Sequence, residues 1–326
     1  VGGEKGRMFS EIFAKQEGGT FFLCVLFCSV LLYVLILRVN VATRRRRIPH
    51  KETLYILVTG CADGIGKALV DALLNHLVEK NIFVIGLDVA SVEYKHDRFK
   101  AFKVDVRKES QYRPVVKFIK KEKIEIDGLC LCAGITATGP LCAMSSSTIQ
   151  RVLDVNVMGV VKSVQHIIPH VKKEGNAFIL PILSEIAFAM SSSAFNGPYA
   201  MSKFALEAYV VALRQELSLE GVDVIGCYPG AVQTKLALSS TLKASVDDLE
   251  GYAPAFKNFV KVSSQYISTN SVPASHIADK VAEVCIYKTR GQTKLLINIS
   301  TAMYILKFLP QTIMDFLSNS LLRRKR

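Results

Sequence analysis

The chain has 326 residues, half of them hydrophobic, with 41 basic and 28 acidic residues and a net charge of +13. That is enough for a sizeable core in one large α/β domain or two small ones. Most of the excess charge lies in two runs, Arg44 to Arg47 and Arg323-Arg324-Lys325-Arg326, without which the balance is +5. Both runs abut apolar segments, which fits membrane flanks and argues against nucleic-acid binding.

In chain order, residues 1–19 form a polar segment, starting at Val1 rather than Met, as an incomplete or processed N-terminus would. Phe21 to Leu37 carries no charge. With its flanks, 20–39, it approaches the ~20 residues that span a bilayer. A cleaved signal peptide competes with an anchor, but the apolar run is long for one and no A-x-A-like site follows. Arg38 and the arginine run sit in a basic linker, 40–52, and the positive-inside rule then places the remainder in the cytosol. The expected location is a membrane, that of the endoplasmic reticulum, with the globular part facing the cytosol.

A catalytic-size domain is expected over 53–299. Leu54 to Val58 is apolar and β-branched and reads as a strand. Thr59-Gly60-Cys61-Ala62-Asp63-Gly64-Ile65-Gly66 follows, then a helical pattern over Lys67 to Leu77. Three glycines between strand and helix allow a tight turn and close approach to a pyrophosphate at the helix N-terminus. A second strand, Ile82 to Leu87, ends in Asp88, about twenty residues past the last glycine, where a carboxylate accepts from ribose hydroxyls. Its charge would repel a 2′-phosphate, favouring NAD(H) with NADP(H) as the alternative.

The alternation continues through a strand Phe102 to Val106, a helix Gln111 to Lys121, a strand Gly128 to Cys132 and a long helix Ser147 to Val171. A strand Ala177 to Leu183, a helix Tyr199 to Leu219 and a strand Val222 to Cys227 follow. Such alternation implies a doubly wound parallel sheet whose ligands bind beyond the strand C-termini. Tyr199 and Lys203, four apart, share one helix face, so an ammonium could lower the tyrosine pKa and ready it for proton transfer.

Past the core, Leu236 to Asn270 is irregular and apolar. Another helix is expected over His276 to Tyr287 and a last strand over Lys294 to Ile299. The tail, 300–326, carries Ile305, Leu309, Ile313, Leu317 and Leu321 at four-residue spacing, with Pro310 as a kink. It reads as an interfacial amphipathic helix, with packing in a homodimer as the alternative. The eight cysteines show no disulfide or metal framework, so free thiols are expected and no metal.

Several of these stretches together resemble the classical short-chain dehydrogenase/reductase superfamily. They are TGCADGIG (Thr59 to Gly66), Asp88, Asp105-Val106, the CAG of Cys132 to Gly134, DVNVMG (Asp154 to Gly159), Ser184, YAMSK (Tyr199 to Lys203) and YPGAVQT ending at Thr234. Within it the chain is most similar to membrane-associated retinol and hydroxysteroid dehydrogenases. The resemblance implies a Rossmann-type α/β fold, between an N-terminal transmembrane helix and the C-terminal amphipathic helix. It also implies hydride transfer between a nicotinamide and a lipophilic alcohol or ketone such as a retinoid or steroid.

By that resemblance Tyr199 is the general acid/base, Lys203 lowers its pKa and binds the nicotinamide ribose, and Ser184 bonds the substrate oxygen. Asn156 holds a relay water. Gly60, Gly64, Ile65 and Gly66 wrap the pyrophosphate, Asp105 and Val106 the adenine, and Thr59, Asp63, Ala133 and Gly134 belong to the cofactor site. Pro229, Gly230 and Thr234 set the nicotinamide face, and 236–270 forms a substrate lid. Three departures stand out. Cys132 replaces the family's asparagine, Ser184 lies fifteen residues before Tyr199, and a one-residue slide would put Glu185 in the serine's place. An NADPH-dependent lipid ketone reductase and a non-catalytic nucleotide-binding scaffold are the competing functions.

Overall fold

Leu54–Thr59 forms β1, buried on both faces. Side chains alternate across a strand, so Ile56 and Val58 enter one core layer while Leu57 enters the layer on the opposite face. Each such buried aliphatic side chain contributes about 1.5–3 kcal/mol. A computed structural model describes residues 53–76, 81–173, 177–192, 194–238, 252–287 and 292–322. The expected polar segment 1–19, anchor 20–39, basic linker 40–52 and terminal basic run lie outside the described residues, as does 239–251 of the expected lid. Among the described residues no helix is long and apolar enough to cross a membrane.

After β1, α1 (Gly64–Asp71) leads into a π-turn at Ala72–His76, followed by β2 (Ile82–Asp88) and β3 (Phe99–Lys103). Next come α2 (Arg113–Lys121), β4 (Gly128–Leu131), α3 (Ser146–Leu153), a π-turn (Asp154–Met158), α4 (Gly159–Ile167) and β5 (Phe178–Pro181). The short α5 (Glu185–Ala189) precedes the long α6 (Gly197–Ser218), β6 (Asp223–Val224) and β7 (Gly226–Pro229). The remaining elements are β8 (Val232–Gln233), α7 (Lys235–Leu238), α8 (Ala253–Asn270), β9 (Val272–Pro273), α9 (Ala274–Ile286), β10 (Lys294–Ile297), α10 (Thr301–Leu306) and α11 (Gln311–Leu322).

The main sheet has the order β3-β2-β1-β4-β5-β6, and every pairing is parallel. A parallel bridge between Ile182 and Cys227 carries it on to β7, which pairs with β10. Helices α1 and α9 cover one face; α2, α4 and α6 cover the other. The order reverses between β1 and β4, so their C-terminal ends open a crevice where such sheets bind ligands.

Four expectations change here. The third strand lies at Phe99–Lys103, three residues before the expected start, because this edge strand buries only part of its surface and lacks a continuous apolar run. The helix expected over Ser147 to Val171 is interrupted at Asp154–Met158 by the π-turn. The lid stretch, expected to be irregular, contains an eighteen-residue helix, α8. Its apolar residues follow no single stripe because they face the site on one side and solvent on another. The tail is two helices, broken at Lys307–Pro310 as Pro310 predicts.

Candidate active site

The ends of β1, β4, β5 and β7 open on one cavity of about 1430 Å³. That exceeds the ~300–1,000 Å³ of sites for one drug-sized ligand and leaves room for two ligands side by side. One end is the Gly60–Gly66 turn. Gly60 has φ +69°, and a Cβ there would stand 2.9 Å from the Ala133 backbone. A Cβ on Gly66 would stand 2.1 Å from the Gly60 carbonyl oxygen. The turn is therefore a bare-backbone cradle at the start of α1, with amide donors and a positive dipole end suited to a diphosphate. Gly66→Ala should force the cradle open, at about 1–3 kcal/mol of strain. Thermal melting should show it as a Tm about 2–10 °C lower, together with weakened binding of a diphosphate-bearing dinucleotide in titration.

Asp88 lies at the same end. Its Oδ2 accepts from the Ala62 N–H at 2.9 Å and its Oδ1 from the Ala90 N–H at 2.9 Å. These bonds fix the carboxylate at the cavity wall, with lone pairs left for hydroxyl donors. Gly60, Asp63, Gly64 and Ile65 line the wall, as do Ala133 and Gly134 after β4 and Pro229, Gly230 and Thr234 after β7. Thr59, Gly66, Asp105, Val106 and Asn156 are not among the lining residues. Thr59 Oγ1 accepts from the Ala133 N–H at 3.2 Å and braces the strand end that carries Cys132 in place of asparagine. Asp105 is held by Arg107, whose Nε and Nη2 donate to it at 2.9 and 2.6 Å, and this pairing keeps the Asp105 carboxyl below its usual range. Val106 packs on Gly159, where a Cβ would meet it at 2.6 Å.

The other end gathers Ser184, Tyr199 and Lys203. Ser184 caps α5, its Oγ accepting from the Ile186 N–H at 3.3 Å. A hydrogen bond from Ser184 also reaches the Tyr199 phenol and favours its phenolate. Glu185 turns away: its Oε1 accepts from the Tyr266 hydroxyl at 3.2 Å and its Oε2 from the Ser300 N–H at 3.4 Å. The geometry thereby places Ser184, not Glu185, beside the tyrosine.

Lys203 is 5% exposed. Its Nζ donates to the Ile182 carbonyl at 2.7 Å and lies 5.5 Å from the Tyr199 ring centroid. Burial disfavours its charge and lowers its pKa to about 8. The Tyr199 pKa stands at about 12, raised chiefly by burial and also by the Glu185 charge. The expected lowering by Lys203 does not appear; burial, which disfavours the phenolate, dominates the shift.

Asn156 sits on the π-turn, which swings its side chain inward. Its Nδ2 donates to the Ile135 carbonyl at 2.8 Å and to Ser202 Oγ at 2.9 Å, and its Oδ1 accepts from the Ile135 N–H at 2.8 Å. Both side-chain donors are committed, so a relay water would donate to Oδ1 or use backbone atoms of this turn. Sequence reasoning missed the Ser202, Ile182 and Tyr266 contributions. Ser202 lies within YAMSK, but its partner is 46 residues distant.

The family model for short chain dehydrogenases matches residues 54–244. Human retinol dehydrogenase 8 is 27% identical over 209 residues, 61% of this chain and 65% of its own length. The Schizosaccharomyces pombe NADPH-dependent 1-acyldihydroxyacetone phosphate reductase is 31% identical over 213 residues, 61% of this chain and 68% of its own. The chain thus spans just under two thirds of the first of these relatives. Among solved structures, the 3-ketoacyl-(acyl-carrier-protein) reductase from Brucella melitensis complexed with NADH superposes with a TM-score of 0.59. It is 20% identical and covers 75% of this chain and 97% of its own. With its parallel sheet, its glycine cradle and a match over more than half its length, the chain belongs to the short chain dehydrogenase family.

Proposed function

We propose that the protein is a membrane-associated, NAD(H)-dependent oxidoreductase that interconverts a lipophilic alcohol and its carbonyl compound. The observation that carries this reading is the meeting of Ser184, Tyr199 and Lys203 in the wall that also holds the glycine cradle. A bound nicotinamide dinucleotide supplies or accepts the hydride. The cradle binds its diphosphate and Asp88 its adenosine ribose. In the oxidative direction Tyr199 Oη takes the hydroxyl proton of the alcohol; in reduction it returns a proton to the carbonyl oxygen. Ser184 Oγ donates to that oxygen and orients it. Lys203, with one donor on Ile182, has two more for ribose hydroxyls.

The substrate end supports a greasy ligand. Phe259, Val260 and Ile267 of α8 and Met303, Leu306 and Met314 of α10 and α11 line it. The same tail turns Ile305, Phe308 at the break, Ile313 and Phe316 outward, 57%, 65%, 43% and 71% exposed, a face suited to a lipid surface. Human retinol dehydrogenase 8 is named for a lipophilic alcohol, in keeping with this reading. A screen of hydrophobic alcohols and ketones with NAD(H) and NADP(H), on detergent-solubilised protein, tests it; no turnover on any pair would remove it. Protection of the globular domain from protease in sealed microsomes would overturn the cytosolic orientation.

A second reading, an NADPH-dependent ketone reductase, draws on the name of the yeast relative. Asp88 favours the first, because its charge opposes a 2′-phosphate. Asp88→Ala should lower the NAD-to-NADP ratio of kcat/KM by about ten- to a hundredfold, given several kcal/mol for like-charge contacts. An unchanged ratio would return the advantage to the NADPH reading.

A further inference from the structure

Among the described residues, Glu185 is the one buried carboxylate on the substrate side of the site that the proposed chemistry leaves unused. It is 6% exposed and follows Ser184 directly. Its two oxygens reach two elements far along the chain. Oε1 accepts from Tyr266 in the lid helix α8, and Oε2 from the Ser300 backbone N–H. Ser300 is the N-cap of α10, its Oγ accepting from the Met303 N–H at 3.4 Å. A Cβ on Gly230 would lie 3.3 Å from Oε2, so the carboxylate also packs on the loop after β7. Asn298 reinforces the junction by donating to the Asn270 carbonyl at the end of α8 at 3.0 Å and to the Ala231 carbonyl at 3.2 Å.

Such burial needs a reason. A carboxylate withdrawn from water costs several kcal/mol unless its hydrogen bonds compensate. An aliphatic side chain would fill the same place at lower cost, but it could not join three separate elements through directed bonds.

We infer that Glu185 is a positioning residue: its carboxylate fastens the lid helix α8 and the tail helix α10 to the turn that carries Ser184. The walls that hold a lipophilic substrate are thereby set against the reacting oxygen. This rests on the proposed oxidoreductase reading, but the fastening has its own readout. Hydrogen bonds to a charged group are worth about 1.5–3 kcal/mol, and these two are long, so the lower end, about a tenfold effect, applies.

Hydrogen–deuterium exchange on the full chain in detergent tests the fastening. In Glu185→Ala the amides of Ala253–Asn270 and Thr301–Leu306 should exchange about tenfold faster, with β1 and β4 unchanged. Glu185→Gln keeps an acceptor and a donor, and should hold the same amides within about threefold of wild type. Kinetics with NAD and two alcohols adds a readout that general loosening would not give. Glu185→Ala should raise KM for all-trans-retinol by about tenfold while kcat/KM for cyclohexanol, too small to span the lid, stays within about threefold. Glu185→Gln should restore the retinol KM. Wild-type exchange of α8 and α10 in Glu185→Ala would overturn the inference, as would equal loosening of β1 and β4 or equal loss with both alcohols. If neither alcohol is turned over, the oxidoreductase reading fails and the exchange result alone decides the fastening.

Discussion

Tyr199→Phe should lower kcat for alcohol oxidation by about 10²- to 10⁴-fold, the usual contribution of a positioned acid/base, while NAD binding changes little. The substitution removes one oxygen and keeps the ring that packs near Lys203. The site offers no ready substitute. Ser184 has an alcohol's basicity, and Lys203 Nζ is directed to the Ile182 carbonyl. The pH profile carries a further sign. Oxidation needs the phenolate, and burial holds the phenol at about 12, so the rate should climb as pH rises toward that value. Reduction needs the phenol, which keeps its proton up to that value, so a fall setting in near pH 8 would report loss of the Lys203 proton. Steady-state rates from pH 6 to 10 in both directions would check this. Unchanged turnover in Tyr199→Phe would remove Tyr199 as the acid/base.

Lys203→Met should abolish most activity and yet raise stability at neutral pH. Lys203 titrates at about 8 in the folded protein, against 10.5 ordinarily, because burial disfavours the ammonium. Below pH 8 both folded and unfolded chains carry the proton, so the full desolvation cost weighs on the fold. Between about 8 and 10.5 the unfolded chain holds more protons, so stability rises with pH and the cost fades. Methionine has similar length and no charge. After loss of the bond to Ile182, about 1 kcal/mol, a net gain of about 1–2 kcal/mol is expected at pH 7. It should appear as a higher urea midpoint and shrink above pH 9. A lower midpoint at pH 7 would show that the bond to the Ile182 carbonyl compensates the buried ammonium fully.

Part of the site was open to reading from spacing. Tyr199 and Lys203 lie on one helix, so their four-residue separation already places them together. The glycine turn and Asp88 lie within one strand-helix-strand unit, whose geometry is local. The choice between Ser184 and Glu185 was not local. Both stand at the mouth of β5, one on each side of a helix start, and their difference lies in partners up to 115 residues away. The α8 helix escaped notice for a related reason. Its apolar residues serve the cavity wall, the Phe195–Phe256–Phe259 ring cluster and solvent, so they show no single period.

The sequence by itself determined the parallel α/β alternation, the family and the Tyr199–Lys203 pair. Each depends on periodicity or on motifs within a few turns of chain, where covalent geometry decides which side chains meet. Tertiary structure alone decided the charge balance of that pair. Burial moves Tyr199 up and Lys203 down, although their spacing suggested only that the ammonium would draw the phenol down. It also decided that Thr59 braces the strand end beside Cys132, that the π-turn commits both Asn156 donors, and that Glu185 joins the catalytic turn to lid and tail. The physical reason is common to all of these. Desolvation and long-range hydrogen bonds depend on what surrounds a group in space, and neighbours in space are fixed only when the sheet has formed and the last hundred residues have closed over its strand ends.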